Sequence, residues 1–109
     1  MIKICVFVPE EYLDSVKEAM FAAGAGKIGD YDQCCWQTKG TGQFRPLQGS
    51  QPFIGKVETG ELTGKLEYVE EYKVEMVCER SLLSSTIAAM RAAHPYEEPA
   101  FDVFEMLAV

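Results

Sequence analysis

The chain matches itself when it is shifted by 70 residues. The matches fall in two predicted helices and at the strands that follow them. They pair Leu13 with Leu83, Ser15 with Ser85, Ala19 with Ala89, Met20 with Met90, Ala22 and Ala23 with Ala92 and Ala93, and Asp32 with Asp102. Because each half has strand character before and after its helix, the sequence predicts two β-α-β units that pack on each other.

The first half begins with residues 2–8, whose nearly continuous apolar character predicts a central strand. Pro9 and the two glutamates after it predict the start of a helix, since proline suits the first turn and carboxylates suit the positive end of the helix dipole. Gly24 is expected to end that helix in a left-handed conformation. Residues 31–37 are predicted to form the second strand.

The second half follows a segment of different composition. Residues 38–55 contain four glycines and two prolines, which predict a long ordered loop or an irregular hairpin. Residues 57–79 regain strand character. Ser81 is expected to cap the second helix at its start, and Pro95 is expected to stop it. Residues 100–107 are predicted to form the last strand.

Two such halves make an α+β, ferredoxin-like sandwich, in which a four-stranded antiparallel sheet carries both helices on one face. The other face then needs water, a cover or a partner. Its expected apolar residues are Cys34, Trp36, Phe101, Val103 and Met106. Because two short helices are not expected to cover this much apolar surface, the sequence predicts an oligomer in which sheets meet.

Size and charge limit the classes of function. The 109 residues are predicted to form one domain, 1–109, and the formal net charge of -7 disfavours a nucleic-acid partner. No apolar run approaches the roughly 18 residues of a membrane span. The apolar run at the N-terminus is also too short for a secretory signal. A cytoplasmic protein without a membrane partner is therefore expected.

The four cysteines are Cys5, Cys34, Cys35 and Cys78, each in a strand-like stretch. They form no C-x-x-C pair, and a single histidine cannot complete a common zinc set with them. In a strand, Cys34 and Cys35 would point to opposite faces. Buried, reduced thiols that pack as small hydrophobes are expected.

Three motifs resemble the insert domain of the Nif-three-like family of dinuclear-metal hexameric proteins. They are GAGKIGDYDQC, GTGQF and HPYEEPAFD, and the similarity covers nearly the whole chain. The resemblance implies a ferredoxin-like fold similar to the CutA and PII trimers, and hence a homotrimer. It also implies that two flanking halves hold the family's paired metal ions. This chain, with one histidine and without those halves, is not expected to build that centre or to carry over the family's hydrolase activities.

The only histidine, His94, lies in the segment HPYEEP between the second helix and the last strand. One interpretation is a divalent metal site, for zinc or copper, on His94, Glu97 and Glu98, completed by water or by a neighbouring subunit. The other is a structural corner in which His94 caps the helix end. The residues of that corner are Pro95, Tyr96 and Pro99. The sequence favours the corner and leaves the metal site open.

A second candidate site is the glycine-rich segment around Thr41. Its backbone N–H groups can point at an anion, but it lacks the lysine and the helix that complete a P-loop. A turn in the long connection is therefore the favoured interpretation. Similarity to PII-like trimers, which bind ligands between subunits near such a loop, gives five candidate ligand-binding residues. They are Lys39, Gly40, Thr41, Gly42 and Arg45.

The sequence therefore predicts a non-enzymatic, oligomeric assembly or sensor module of the Nif-three-like and CutA-like type. Its candidate ligand is a divalent cation or a small molecule held between subunits. Two alternatives stay open. One is a metal-assisted hydrolase whose intersubunit site uses His94 and Glu97, and the other is a module that docks onto another protein.

Overall fold

The computed structural model describes residues 1–109, which form strand, helix and strand twice over. The elements are β1 Ile2–Pro9, α1 Leu13–Ala22, β2 Trp36–Phe44, β3 Glu67–Cys78, α2 Leu83–Ala93 and β4 Phe101–Glu105. A 3-10 turn precedes each α-helix, at Glu10–Tyr12 and Arg80–Leu82. No helix of the chain has both the length and the apolar character needed to cross a membrane.

The four strands form one sheet in the order β2-β3-β1-β4, and every neighbouring pair is antiparallel. The apolar strand β1 is central, so that its residue Ile4 pairs with Met76 of β3 on one side and with Val103 of β4 on the other. With the two helices on one face, this is the α+β ferredoxin-like sandwich that the internal repeat predicts.

The core lies between the sheet and the two helices. Even-numbered residues of β1 point toward the helices and meet their apolar stripes. The fully buried members include Ile4, Val6, Val8, Val16, Met20, Val74 and Met90. Met20 and Met90 are equivalent in the repeat and both have 0% exposure. Truncating either to alanine would cost about 2–5 kcal/mol.

The second strand lies later in the chain than the sequence indicates. It spans Trp36–Phe44 rather than 31–37. The residues before it turn back toward the end of α1, where the Cys34 N–H donates to the Gly26 carbonyl oxygen at 2.8 Å. Because this bond draws the segment away from the sheet, Cys34 and Cys35 lie outside any strand, and the strand prediction is wrong for both.

The glycine-rich segment is part of the sheet. Gly40, Thr41 and Gly42 lie inside β2, where each pairs with a residue of β3. The prediction of a turn here is therefore wrong, because pairing with β3 supplies the backbone hydrogen bonds that glycine propensity alone does not indicate. The long connection between the halves spans 45–66 rather than 38–55.

The helix starts also differ from the sequence prediction. Pro9 is the last residue of β1, and Ser81 lies in a 3-10 turn rather than at an N-cap. The α-helices begin at Leu13 and Leu83, and neither has a side-chain cap. The 3-10 turns occupy the place where a cap would serve the first N–H groups. Gly24 has a φ of 107°, which confirms the left-handed end of α1.

The sheet face turned away from the helices is here called the open face. Trp36 and Phe104 are large apolar side chains on it, with 68% and 52% of their surface exposed. Phe101 and Val103, expected on this face, lie on the helix side instead, because the register aligns them with core residues of β1. Met106 lies beyond the end of β4. The open face is thus apolar in part, but through fewer residues than predicted.

Candidate functional site

A cavity of about 390 Å³ lies at one end of the open face. The sheet forms its floor, and the start of the 45–66 connection and the corner after α2 form its walls. The floor residues are Phe7, Gly42, Phe44, Val69 and Glu71. The chain therefore covers this end of the open face itself, whereas the end that carries Trp36 and Phe104 remains uncovered.

Two hydrogen bonds position the 45–66 connection. The Gly64 N–H donates to the Pro46 carbonyl oxygen at 2.8 Å, which closes the 45–66 connection on itself. The Gln51 N–H donates to Oε1 of Glu97 at 3.1 Å. This second bond ties the connection to the corner after α2, so that the two walls of the cavity support each other.

Aromatic rings cluster around the cavity, with Tyr96 in the middle. Its ring centroid lies 6.4 Å from that of Phe44 and 6.2 Å from that of Phe53, and both pairs are tilted. Tyr12 meets Phe53 edge-on at 5.7 Å. Tilted and edge-on pairs are favourable arrangements of the ring quadrupoles. We call Phe44, Phe53 and Tyr96 the aromatic cluster.

The charged residues of the cavity are mostly acidic. Glu71, Glu97 and Glu98 face a single basic residue, Arg45. Burial raises the pKa of the Glu71 carboxyl above its ordinary value, because loss of water disfavours the charged form. A Cβ atom on Gly42 would collide with this carboxyl group, so the glycine is what leaves room for the Glu71 side chain on the floor.

The hydroxyl group of Tyr96 is buried and has no hydrogen-bond partner in the chain. Burial, followed by the negative charges of Glu71 and Glu11, raises the pKa of Tyr96 to about 12, so the phenol is neutral. A buried polar group without a partner costs about 1–3 kcal/mol. The chain therefore leaves one buried polar group of this residue unsatisfied.

The ring of His94 connects the end of α2 to the first strand. Its Nε2–H donates to the Phe7 carbonyl oxygen at 2.7 Å, and its Nδ1 accepts the Tyr96 N–H at 3.2 Å. Burial lowers the pKa of His94, against the Phe7 bond that raises it. The hydrogen bond back to α2 comes from the backbone of His94 and not from its ring. The His94 N–H donates to the Met90 carbonyl oxygen at 2.9 Å.

The residues expected to bind a metal ion are not gathered into one ligand set. Glu97 and Glu98 line the cavity, but His94 does not. No three His, Cys, Asp or Glu side chains lie together in an arrangement that could hold a metal ion. A metal ion on the His94 ring would have to displace its bond to Phe7 or to Tyr96. These residues therefore do not fit a metal site within one chain, and a site completed by a second subunit stays a prediction.

Strand β2 contains four of the five expected ligand-binding residues and divides them between its two faces, and Arg45 directly follows the strand. Gly42 and Arg45 line the cavity. Lys39 and Thr41 alternate onto the helix side, where the Lys39 Nζ lies 3.5 Å from a glutamate of β3. Gly40 is exposed and lies outside the cavity. Only Gly42 and Arg45 therefore share one site with Glu97 and Glu98 of the corner.

All four cysteines are free, but only Cys5 and Cys78 are buried. Burial raises the pKa of both thiols, so they stay protonated. The Cys5 Sγ lies 3.6 Å from the carboxylate of Glu75. The expectation of buried thiols is wrong for Cys34 and Cys35, which are partly exposed because they precede β2 rather than lie within the sheet.

Sequence reasoning missed two parts of the cavity, namely Glu71 and the aromatic cluster. Glu71 precedes the core-facing Tyr72 in β3, so strand alternation places it on the open face. That signal was present in the sequence. No sequence pattern indicated that the 45–66 connection would fold back and bring Phe53 to Tyr96.

No family model matches the sequence. The protein of Halalkalibacterium halodurans named GTP cyclohydrolase 1 type 2 homolog is 46% identical over 104 residues, which cover 95% of this chain and 26% of the relative. The protein of the same name from Mycobacterium tuberculosis is 48% identical over 105 residues, which cover 96% and 26%. The chain thus spans about a quarter of the length of the curated relatives that it matches.

Solved structures show the same relation. A Bacillus cereus protein related to NIF3 matches 94% of this chain and 24% of its own chain, with a TM-score of 0.77 and 41% identity. CutA of Archaeoglobus fulgidus (TM-score 0.67, 13% identity, 100% of this chain and 87% of its own) shares the fold. So does GlnK of Bacillus subtilis (TM-score 0.58, 11% identity, 96% and 83%). The resemblance to the Nif-three-like family is thus confirmed over nearly the whole chain. The chain corresponds to about a quarter of the length of such a protein, and it has the fold of CutA and GlnK.

Proposed function

We propose that this chain is a homotrimeric assembly module of the Nif-three-like and CutA-like type, in which the open faces of three copies pack together. The observation that carries the proposal is the uncovered apolar surface at one end of the open face. Trp36 and Phe104 expose 68% and 52% of their surface there. Aromatic side chains of this size are enriched in the buried centres of protein interfaces.

Three charged residues of the open face are already paired with one another within one chain. Nζ of Lys3 lies 3.1 Å from Oε1 of Glu75, and Nζ of Lys73 lies 3.9 Å from the same oxygen. Lys3 lowers the pKa of the Glu75 carboxyl, so the glutamate stays charged. Lys3, Lys73 and Glu75 thus have partners within one chain. Asp102, which pairs with Cys5 on the same face, has none, so the trimer would have to keep it at the edge of the interface or give it a partner.

The name of the relatives suggests an enzyme as the rival function. That name belongs to proteins about four times as long as this chain, which spans 26% of them. The cavity of this chain presents three carboxyl groups and one guanidinium, a balance that repels a nucleoside triphosphate. A hydrolase site on His94 and Glu97 would also require the His94 ring to release a present hydrogen bond. Assembly therefore accounts for more of the geometry than catalysis does.

Native mass spectrometry tests the proposal directly. The wild-type chain is expected to give a species of three times the 12.2 kDa chain mass. A double variant, Trp36→Lys with Phe104→Lys, is expected to be monomeric, because it buries two unpaired charges in the interface. The matched control is Leu107→Lys, which changes a 90% exposed residue outside the sheet and should remain trimeric. A monomeric wild-type chain, or a trimeric double variant, overturns the proposal.

The same measurement tests the divalent-cation site proposed between subunits. Zinc is added to the metal-free trimer, with His94→Ala as the control. Uptake of a fixed number of ions per trimer that is lost in the variant would support a site on His94, Glu97 and Glu98. A trimer that takes up no ion, or equal amounts with and without the imidazole, would contradict that site.

A further inference from the structure

We propose that the cavity on the open face binds a small organic ammonium ion with an apolar body, held by the aromatic cluster and by the carboxylate of Glu71. This inference goes beyond the assembly role, since the cavity is complete within one chain. Its volume of about 390 Å³ falls in the range of small-molecule sites, which are typically about 300–1,000 Å³.

The aromatic cluster supplies the first part of the site. Phe44, Phe53 and Tyr96 all line the cavity, and the two phenylalanine rings lie 6.4 and 6.2 Å from the tyrosine ring at tilted angles. Each ring that turns its face to the cavity would present the negative part of its quadrupole to a ligand there. A cation enclosed by such faces is attracted by their quadrupoles, which is how aromatic cages bind alkylammonium groups. The rings favour a cation with apolar substituents over a metal ion.

The charges select the sign of the ligand. Three carboxyl groups and one guanidinium face the cavity, so an anion would meet net repulsion and a cation net attraction. Glu71 lies on the floor in a half-buried position, where burial disfavours its charged form. An ammonium group beside it would favour the carboxylate, because a nearby opposite charge offsets the lost water.

The Tyr96 hydroxyl supplies the third part. It is buried, lacks a partner and belongs to a ring that lines the cavity. The oxygen itself is inaccessible in this conformation, so the tyrosine ring has to shift when the ligand binds. The oxygen then accepts one N–H of a primary ammonium ion, which satisfies a polar group that the chain leaves unpaired. A quaternary ammonium ion has no N–H to donate. A primary ammonium ion is therefore expected to bind better than its trimethylated form.

Isothermal titration calorimetry with three ligands of equal ring size tests the proposal. Benzylammonium, benzyl alcohol and benzoate carry a positive, a neutral and a negative group on the same apolar body. Benzylammonium is expected to bind at least about tenfold more tightly than benzoate, which corresponds to about 1.4 kcal/mol. Benzyl alcohol is expected between them. Equal affinities for all three, tighter binding of benzoate, or no binding of benzylammonium overturns the proposal.

Matched variants locate the binding. Glu71→Gln is expected to weaken the binding of benzylammonium by about tenfold, because it removes the charge and keeps the shape of the side chain. The affinity for benzyl alcohol should stay nearly unchanged. Glu18→Gln removes the same charge from the exposed surface of α1 and should change neither affinity. Phe53→Leu, in the connection, should weaken benzylammonium without disturbing the core. Retention of the wild-type affinity in both Glu71→Gln and Phe53→Leu contradicts this site.

Discussion

At the scale of single residues, His94 acts as a connector between strand and corner. Its two ring nitrogens engage Phe7 of β1 and Tyr96 of the corner, and only 7% of the residue is exposed. This arrangement requires a neutral ring. Nδ1 accepts the hydrogen bond from the Tyr96 N–H and therefore cannot carry a proton of its own. Both nitrogens of the imidazole ring are thus engaged in hydrogen bonds within one chain.

The pH dependence of stability follows from the same bonds. The pKa of His94 is lowered by burial below its ordinary value of 6.5, so the unfolded chain takes up the proton first as pH falls. The contribution of His94 to stability is therefore complete above about pH 6.5 and is lost as pH falls through the folded-state pKa. The free energy of unfolding, from urea titrations at about pH 7.5 and about pH 5, should drop more in wild type than in His94→Gln. An equal drop in both proteins contradicts this assignment.

The unpaired hydroxyl of Tyr96 gives a second prediction at this scale. Tyr96→Phe removes a buried polar group without a partner and keeps the ring that packs on Phe44 and Phe53. The free energy of unfolding is expected to rise by about 1 kcal/mol, because the cost of burying the hydroxyl disappears. Tyr31→Phe changes a 76% exposed tyrosine and should leave stability unchanged. A fall in the stability of Tyr96→Phe would mean that the hydroxyl has a partner.

At the scale of elements, strand β2 combines two glycines with different surroundings. A Cβ atom on Gly42 would collide with the Glu71 carboxyl group, whereas a Cβ atom on Gly40 would meet nothing within 4 Å. Gly42→Ala is therefore expected to displace Glu71 and to lower the free energy of unfolding by about 1 kcal/mol. Gly40→Ala should be neutral or stabilising, since alanine loses less backbone entropy than glycine. Thermal and urea unfolding of the two variants measure the difference, and equal stabilities would show that Glu71 moves aside without cost.

The sequence predicted the elements that bury apolar side chains. It failed for β2, whose position in the chain is set by backbone pairing with β3. The repeat indicated both helices and their buried faces, on which Met20 and Met90 lie, although it did not give the residues at which the helices begin. It misplaced β2 by extending the repeat past α1. In the second half β4 starts at Phe101, whereas in the first half the chain makes a longer excursion before Trp36. An edge strand with exposed polar residues and two glycines carries no alternation that could have shown this.

The candidate site was predictable in part for the same reason. The corner segment was singled out through its histidine, and Gly42 and Arg45 were among the expected ligand-binding residues. Glu71 was missed although strand alternation indicates its face. The contact of Phe53 with Tyr96 depends on how the 45–66 connection folds back, which is a tertiary event without a local signature. Residues that are distant in sequence therefore complete a cavity of which the sequence indicated only one wall and part of the floor.

At the scale of the whole molecule, the chain is longer and thinner than a compact domain of its size. Its extents are 55 × 24 × 24 Å and its radius of gyration is 15.6 Å, against about 13 Å for a compact domain of about 100 residues. Only 19 of the 109 residues are buried. A single layer of helices on an extended sheet produces this shape. In the proposed trimer, burial of the open face between copies would add to the stability that this small core provides.

Trp36 is the only tryptophan, so its fluorescence reports directly on the open face. In the isolated chain the indole is 68% exposed, and packing against another copy would remove it from water. The emission maximum of wild type is therefore expected at shorter wavelength at high protein concentration and to move to longer wavelength on dilution. Phe104→Lys should emit at the longer wavelength at every concentration, because a charge opposite Lys3 prevents burial of the face. A trimer by mass whose indole stays in water would place the interface on another surface, leaving the open face for a different protein.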